Sequence, residues 1–185
     1  MTNKTVLVGL DYSMSGPAIT ICEGDFHIDN CKIYYLTDTK RYQGTFCDGK
    51  IIGSPFQKWS CNEERFGLIA DFFIELLEPL SDTCYHMIIE GYAMGAKGLV
   101  FHIGENTGIL KYKLFKKDIQ FTSIAPTRVK KLATGKGNAK KDQMYECFVK
   151  ETGIDLRKAL CYTKTDISSP IGDIVDSYYI CKALT

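Results

Sequence analysis

The chain has 185 residues, 45% hydrophobic and 24% charged, which predicts a single globular domain, 1–185, with a substantial core. Its formal net charge of +1 neither favours nor excludes a nucleic-acid partner, so that question depends on how the charges are distributed along the chain. No apolar run is long enough to span a bilayer, which argues against an integral membrane protein and predicts no membrane partner.

Three strands are predicted at the start of the chain, over 5–11, 18–23 and 31–37, and the second and third are expected to pair antiparallel. The stretch 38–60 is long and rich in turn residues, which indicates a surface excursion or a functional loop. Trp59, the only tryptophan, is expected to cover the edge of the core.

Helices and strands alternate in the rest of the chain. Helices are predicted over 62–78, 99–116, 126–132, 139–151 and 172–183, strands over 84–91 and 121–124, and irregular structure over 155–170. Gly104 and Gly108 would allow the second helix to pack closely against a neighbour. The order predicts an α/β fold with a mixed five-stranded sheet, antiparallel hairpin strands first and parallel strands after, flanked by helices on both faces.

Eight scattered cysteines form no C-x-x-C pair, which disfavours zinc ribbons and thioredoxin-like redox sites. The first four residues lead directly into a strand without the layout of a signal peptide. We therefore expect reduced, mostly buried thiols in a cytoplasmic protein, with a disulfide framework as the alternative. His86, inside an apolar strand, is expected in the core rather than on a metal. The cysteines are Cys22, Cys31, Cys47, Cys61, Cys84, Cys147, Cys161 and Cys181.

Four acidic residues stand at the ends of predicted core elements: Asp11, Glu90, Asp173 and Asp176. Asp11 and Glu90 each close an apolar strand, whereas Asp173 and Asp176 share one face at the start of the last helix. Each has an ordinary alternative, namely an Asx turn, a structural ion pair, or favourable placement at a helix N-terminus. Brought together, the four would repel one another unless divalent metal bound them. We therefore predict a two-metal site for Mg²⁺, with Mn²⁺ as a substitute, that hydrolyses phosphodiester bonds.

Six basic residues follow within fourteen positions that contain no acidic residue. They are Arg128, Lys130, Lys131, Lys136, Lys140 and Lys141. The glycines at 135 and 137 would let backbone amides approach a phosphate, and the helix start at 140–141 presents further amides. A solvated helix face is the alternative. We predict DNA-phosphate contact that depends on salt and carries little base information.

Six segments, taken in order, resemble the motifs of one nuclease family. They are 8–13, 88–92, 104–108, 125–131, 135–141 and 173–177. In order and spacing they resemble the RuvC family of Holliday junction resolvases, within the ribonuclease H-like superfamily. The resemblance covers nearly the whole chain apart from 38–60, and it implies a ribonuclease H-like fold.

The resemblance also implies an endonuclease for Holliday junctions, with other branched DNA as further candidate substrates, in recombination or repair. It assigns metal binding and catalysis to the four acids, a place near the scissile phosphate to Lys141, and backbone contact to Lys130. Tyr92 and Lys97, in the loop after Glu90, become candidate DNA contacts. The family's comparable helix contributes to a dimer interface, so a homodimer is expected, with two active sites on opposed strands.

Two other functions share part of this pattern. A ribonuclease H acting on RNA–DNA hybrids would carry its second acid on the first helix, whereas Glu90 on a strand favours the resolvase. A non-nuclease phosphate binder of the actin-like or sugar-kinase type shares the strand and turn at 10–13, but it needs two lobes and a longer chain. A catalytically dead DNA-binding relative is disfavoured by the presence of all four acids.

Overall fold

The computed structural model describes residues 5–80, 85–91 and 100–185. Seven strands of this part form one mixed sheet in the order β4-β5-β3-β2-β1-β6-β7. They are β1 (Val6–Asp11), β2 (Ala18–Glu23), β3 (Cys31–Leu36), β4 (Gly44–Phe46), β5 (Ile51–Ser54), β6 (Tyr85–Glu90) and β7 (Thr122–Ile124).

The first three strands form an antiparallel meander, and β6 and β7 then add parallel to β1. The predicted α/β class and its order of antiparallel and parallel strands are therefore confirmed. The predicted count of five strands is wrong, because the turn-rich region 38–60 contains β4 and β5. These two strands are short and contain glycine, so their pattern resembles a loop, yet β5 pairs parallel to β3 and extends the sheet.

Helices cover both faces of the sheet. They are α1 (Asn62–Leu77), α2 (Val100–Lys116), α3 (Pro126–Thr134), α4 (Lys141–Thr152), α5 (Leu156–Ala159) and α6 (Ile171–Lys182). The predicted helices are all present, with ends displaced by one or two residues. The single-turn α5 lies in the segment predicted to be irregular, where Asp155 accepts a hydrogen bond from Lys158 N at 3.2 Å and caps the turn.

Alternation along the strands divides the core into two layers. Val8 and Leu10 pack beneath α1 and α2, whereas Leu7 and Ala18 pack beneath α3, α4 and α6. Helix α6 lies directly on β1 at Gly9, where a Cβ atom would stand 2.1 Å from Cys181 N. The absence of a side chain there lets α6 approach β1 closely.

Several single-residue expectations fail. His86 is exposed rather than buried, because β7 pairs only from Ile88 onward and leaves the first half of β6 at an open edge. Within the described part, a Cβ atom at Gly104 or Gly108 would meet nothing within 4 Å, so these glycines pack against no neighbour in the chain. Trp59 keeps 37% of its surface exposed and therefore covers the core only in part.

Seven of the cysteines lie in the described ranges, and all of these are free thiols. Cys22, Cys31 and Cys181 are buried, while Cys61 and Cys161 are exposed and the other two are half-buried. No helix in the described ranges is both long enough and apolar enough to cross a bilayer.

Candidate active site

Two of the four acids meet at the carboxyl ends of neighbouring strands. β1 and β6 pair in parallel up to Leu10 and Ile89, and Asp11 and Glu90 each follow by one residue. The two carboxylates therefore lie side by side at one edge of the sheet, the edge formed by the carboxyl ends of β1 and β6. Asp11 is buried and Glu90 is half-buried.

The other two acids reach the same edge from α6. This helix runs antiparallel to β1, with Cys181 Sγ donating to Leu7 O at 3.4 Å and Ser177 Oγ 2.9 Å from Thr20 Oγ1. Its N-terminal turn, which carries Asp173 and Asp176, consequently lies beside the end of β1. All four predicted acids are thus brought together.

Lys141 lies among these carboxylates. Its Nζ is 3.9 Å from Asp173 Oδ1 and 3.8 Å from Asp176 Oδ2, and its side chain is 48% exposed. A Cβ atom on Gly172 would stand 2.8 Å from the same Nζ, so a glycine at this position gives the lysine room to reach the acids. Lys141 is the first residue of α4, and its predicted role near the scissile phosphate stays a prediction.

Burial raises the pKa of every acid in the group, and repulsion adds to the rise at Asp11, Glu90 and Asp173. Burial, then repulsion from Asp176, Glu90 and Asp173, holds the pKa of Asp11 well above its usual value. Burial and the Asp176 charge raise the pKa of Glu90 to about 7, although Lys130 and Lys141 oppose the shift. The pKa of Asp173 rises to about 6, again mainly through burial and against the Ser169 hydroxyl and Lys141.

Asp176 and Lys141 complete the electrostatic group. Burial raises the pKa of Asp176 even though Lys141 and Lys130 lower it. Burial alone would lower the pKa of Lys141, but attraction from the four carboxylates outweighs it and the net pKa is raised. One lysine beside four acids leaves an excess of negative charge, which is a common arrangement at functional sites.

The chemistry of this donor set fits a hard divalent cation, since all four groups offer carboxylate oxygens. Asp173 Oδ2 is buried and makes no hydrogen bond within the described residues, and such an oxygen is costly unless a donor or cation reaches it. Across the described ranges, however, no three acidic, histidine or cysteine side chains stand close enough together to hold an ion. The site is therefore suited to metal by its chemistry, without a closed set of ligands.

The basic segment divides into residues near the acids and residues farther out. Lys130 lies close enough to lower the pKa of Glu90 and Asp176, as Lys141 does. The remaining four are exposed and form no ion pair with any described residue: Arg128, Lys131, Lys136 and Lys140. The predicted DNA contacts Tyr92 and Lys97 lie outside the described residues.

The glycines of the basic segment have structural roles. Gly135 has φ +79° and ends α3, where its N–H donates to Lys131 O at 2.8 Å. A Cβ atom on Gly137 would stand 3.2 Å from Thr127 O, and Lys136 N already donates to Thr134 Oγ1 at 3.2 Å. The amides of Gly135 and Lys136 are therefore already bonded within the chain, and the amide–phosphate contact of this segment stays a prediction.

Sequence reasoning missed the residues that hold the turn after Asp11. Tyr12 Oη donates to the buried Asn106 Oδ1 at 3.2 Å, and Arg65 Nη2 donates to Met14 O at 2.6 Å. A Cβ atom on Gly16 would stand 2.3 Å from Asp173 Oδ2, so the turn packs directly against that carboxylate. Asn106, a polar residue amid an apolar helix face, was a signal in the sequence; Arg65 offered none.

A cleft of about 300 Å³ opens beside Asp11 and Glu90, and its wall is formed by the turn at 12–15 and by α2 residues including Asn106. A larger cleft of about 580 Å³ lies at the opposite edge of the sheet, around Glu23, Cys31 and Leu80. The smaller cleft is the relevant one for chemistry, because it alone of these two contains acids of the group.

Two solved structures match this chain over nearly its full length. T. thermophilus RuvC in complex with a Holliday junction substrate has a TM-score of 0.59 and 15% identity, covering 96% of this chain and 94% of that one. A second Thermus thermophilus RuvC structure has a TM-score of 0.53 and 17% identity, covering 95% and 92%. Neither protein-family models nor curated protein sequences give a match. The chain therefore has the ribonuclease H-like fold of the RuvC resolvase structures, as its motifs predicted.

Proposed function

We propose that this protein is a metal-dependent, structure-specific endonuclease that cuts four-way DNA junctions. The observation that supports this most is the convergence of four carboxylates, from β1, β6 and α6, around one lysine at a single sheet edge. The fold shared with a RuvC structure bound to a Holliday junction substrate supports the choice of DNA over other phosphodiesters.

Asp11, Glu90, Asp173 and Asp176 would hold two Mg²⁺ ions, with Mn²⁺ as a substitute. When bound, such ions supply an activated water and stabilise the leaving 3′ oxygen. The acids place that chemistry at the rim of a cleft whose wall is the 12–15 turn and α2. Their raised pKa values reflect the cost of holding buried, neighbouring negative charges without a cation, and a bound divalent ion would offset that cost.

Lys141 is the residue of this chain that we assign to the scissile phosphate. The four carboxylates raise its pKa, so the amine keeps its proton at neutral pH and binds a phosphate oxygen as a cation. Lys130 adds a second positive charge close to Glu90 and Asp176. The exposed cations Arg128, Lys131, Lys136 and Lys140 extend the same surface outward and would contact the DNA backbone.

The ribonuclease H alternative is weakened by what the acids of α1 do. Asp71 on α1 accepts a hydrogen bond from Lys113 on α2, and Glu78 Oε1, just after α1, accepts one from Lys117 Nζ, just after α2, at 2.8 Å. Glu64 instead accepts from Ser60 N at 2.6 Å. The second acid of the group is Glu90, on a strand, which is the arrangement expected of the resolvase branch.

A homodimer is the second part of the proposal. Four of the six large apolar side chains that are exposed in the described ranges lie on α2. Phe101, Tyr112 and Phe115 share one helix face with Gly104 and Gly108, and a Cβ atom on either glycine would meet no described atom within 4 Å. An apolar face with open glycines is suited to a second copy of the helix. Two-fold symmetry would then place two sites for paired nicks in one junction.

A substrate panel tests the proposal. Purified protein in Mg²⁺ is given a four-way junction, a flap, a fork, a linear duplex and an RNA–DNA hybrid under one set of conditions. We expect junction cutting that exceeds cutting of linear duplex, with paired nicks. Cutting of the hybrid without cutting of any branched DNA would support the ribonuclease H alternative instead.

Lys141→Ala provides the residue-level test of the same proposal. It should lower junction cleavage and reduce the slope of log affinity against log salt by about one, since one phosphate contact is lost. Lys150→Ala, an exposed lysine later in α4, is the matched control and should leave both quantities unchanged. Equal behaviour of the two variants would remove Lys141 from the phosphate site.

A further inference from the structure

The segment 55–61, between β5 and α1, lies at the same sheet edge as the four acids. Leu36 N donates to Pro17 O at 3.2 Å and Thr37 N donates to Ser54 O at 2.9 Å, so the end of β3 lies between the start of β2 and the end of β5, all at one end of the sheet. Asp11 pairs with Ala18 at that start. The segment that follows Ser54 therefore begins at the active-site edge, on the α1 face of the sheet.

Trp59 in this segment is held in place by Arg65. The Arg65 guanidinium carbon lies 4.7 Å from the indole centroid, and Phe56 meets the same ring edge-on at 6.0 Å. Arg65 and Phe56 cover part of Trp59, and 37% of its surface stays exposed to solvent. An indole fixed in this way has little side-chain freedom left to lose when something stacks on it.

Arg65 connects this indole to the catalytic cleft. Its Nη2 donates to Met14 O at 2.6 Å, and Met14 lines the cleft that contains Asp11 and Glu90. Neighbouring strands lie about 4.8 Å apart, so the end of β5, where the segment that contains Trp59 begins, is ~14 Å from Asp11 across three strand spacings.

The charged residues near Trp59 balance one another. Glu63 and Glu64 in the first turn of α1 are matched by Lys58 and Arg65, so no net negative charge repels a DNA strand there. Contact with the ring itself would be made by an uncharged base face, and stacking on an aromatic ring is tolerant of sequence. The lysines of α3 and α4 occupy the opposite face of the sheet, so the acids lie between a backbone-binding surface and the indole.

We propose that Trp59, held by Arg65, is a stacking platform for an unpaired nucleobase of the DNA strand that enters the carboxylate site. The proposal rests on the proposed nuclease function, because it assumes a DNA strand in the carboxylate site. It gives the region 38–60 a role in selecting branched DNA, whose unpaired bases can reach an aromatic face that a continuous duplex keeps covered.

Tryptophan fluorescence tests this directly, since Trp59 is the only tryptophan in the chain. An Asp11→Asn background prevents cutting, and binding is followed independently by the anisotropy of labelled DNA. A junction or fork with unpaired bases should quench Trp59 at saturation, whereas a linear duplex should not. Moving an abasic site along the strand should abolish the quench at one position near the cut and leave it intact at the others.

Three variants accompany the measurement. Trp59→Ala should weaken binding to the fork about tenfold, as expected for one lost base–aromatic stack, and Trp59→Phe should retain most of the affinity. In a Trp59→Phe background, Tyr34→Trp places the reporter in the cleft at the opposite edge, where DNA should not change its fluorescence.

The outcomes distinguish failure of the stacking proposal from failure of the proposed nuclease function. Saturated binding by anisotropy with no change in Trp59 fluorescence would overturn the platform and leave the nuclease proposal standing. Equal losses for Trp59→Ala and Trp59→Phe would likewise overturn it, because stacking tolerates phenylalanine. Failure to bind any branched DNA would overturn both proposals together.

Discussion

Glu90→Gln should stabilise the protein in the absence of divalent metal. Burial and the neighbouring Asp176 charge raise the pKa of Glu90 from 4.5 to about 7. At about 1.4 kcal/mol per pH unit, this rise corresponds to roughly 3 kcal/mol by which ionised Glu90 disfavours the folded state at pH 8. A neutral amide of the same shape removes that cost and keeps the packing.

The sign of the pH dependence follows from the raised pKa. Between pH 4.5 and about 7 the folded protein holds a proton on Glu90 that the unfolded chain has lost. The free energy of unfolding therefore falls as pH rises through this window. Asp173, with its pKa raised to about 6, contributes in the same direction between its usual 3.8 and 6.

Urea unfolding in EDTA at pH 5 and pH 8 measures the effect. We expect Glu90→Gln to exceed wild type by about 2–3 kcal/mol at pH 8 and to match it near pH 5. Glu75→Gln, an exposed acid on α1, is the control and should change stability by less than about 0.5 kcal/mol. A variant less stable than wild type at pH 8, or a wild type whose stability is flat with pH, would refute the electrostatic reasoning.

Two further predictions concern packing and thiol exposure. Gly9→Ala should destabilise the fold by about 3 kcal/mol or more in urea unfolding, because its Cβ atom would meet the α6 backbone. Gly67→Ala is the control, since its Cβ atom would meet open space and the substitution should stabilise α1 by up to about 1 kcal/mol. Equal effects of the two substitutions would mean that α6 does not lie on β1 as described. In titration with an aromatic disulfide reagent, the exposed thiols of Cys61 and Cys161 should react first. A fast phase of the same size in the Cys61→Ser/Cys161→Ser variant would contradict the assignment of these two thiols as exposed.

Much of the fold could be predicted because strong periodicity marks its central elements. Val6 to Leu10 alternates between two buried layers, and α1 repeats its apolar residues at helical spacing. The strands β4 and β5 could not be predicted, since each is short and contains glycine. Their pairing depends on β3 being already in place, which is a tertiary effect that local pattern does not record.

The acids of the site could be predicted because a carboxylate at the end of a buried strand is a local anomaly. Glu90, after three apolar residues, shows this most clearly. The residues that support the acids could not be predicted, because their roles arise from contacts across long sequence distances. Arg65 reaches Met14 from α1, and Gly172 matters only because Lys141 lies over it.

His86 shows the opposite failure. Its strand is apolar on both sides in sequence, which indicated a core position, but β7 is too short to cover it. Exposure there depends on the length of a neighbouring strand. The sequence of β6 alone does not indicate how long β7 is.

Cleavage of a synthetic four-way junction by wild type and by Asp11→Asn is the most direct test of the central claim. We predict that wild type nicks the junction in Mg²⁺ and not in EDTA. Asp11→Asn should bind the junction with similar affinity and fail to cut it, while the surface control Glu75→Gln cuts normally. Normal cutting by Asp11→Asn would contradict the assignment of the four carboxylates as the active site.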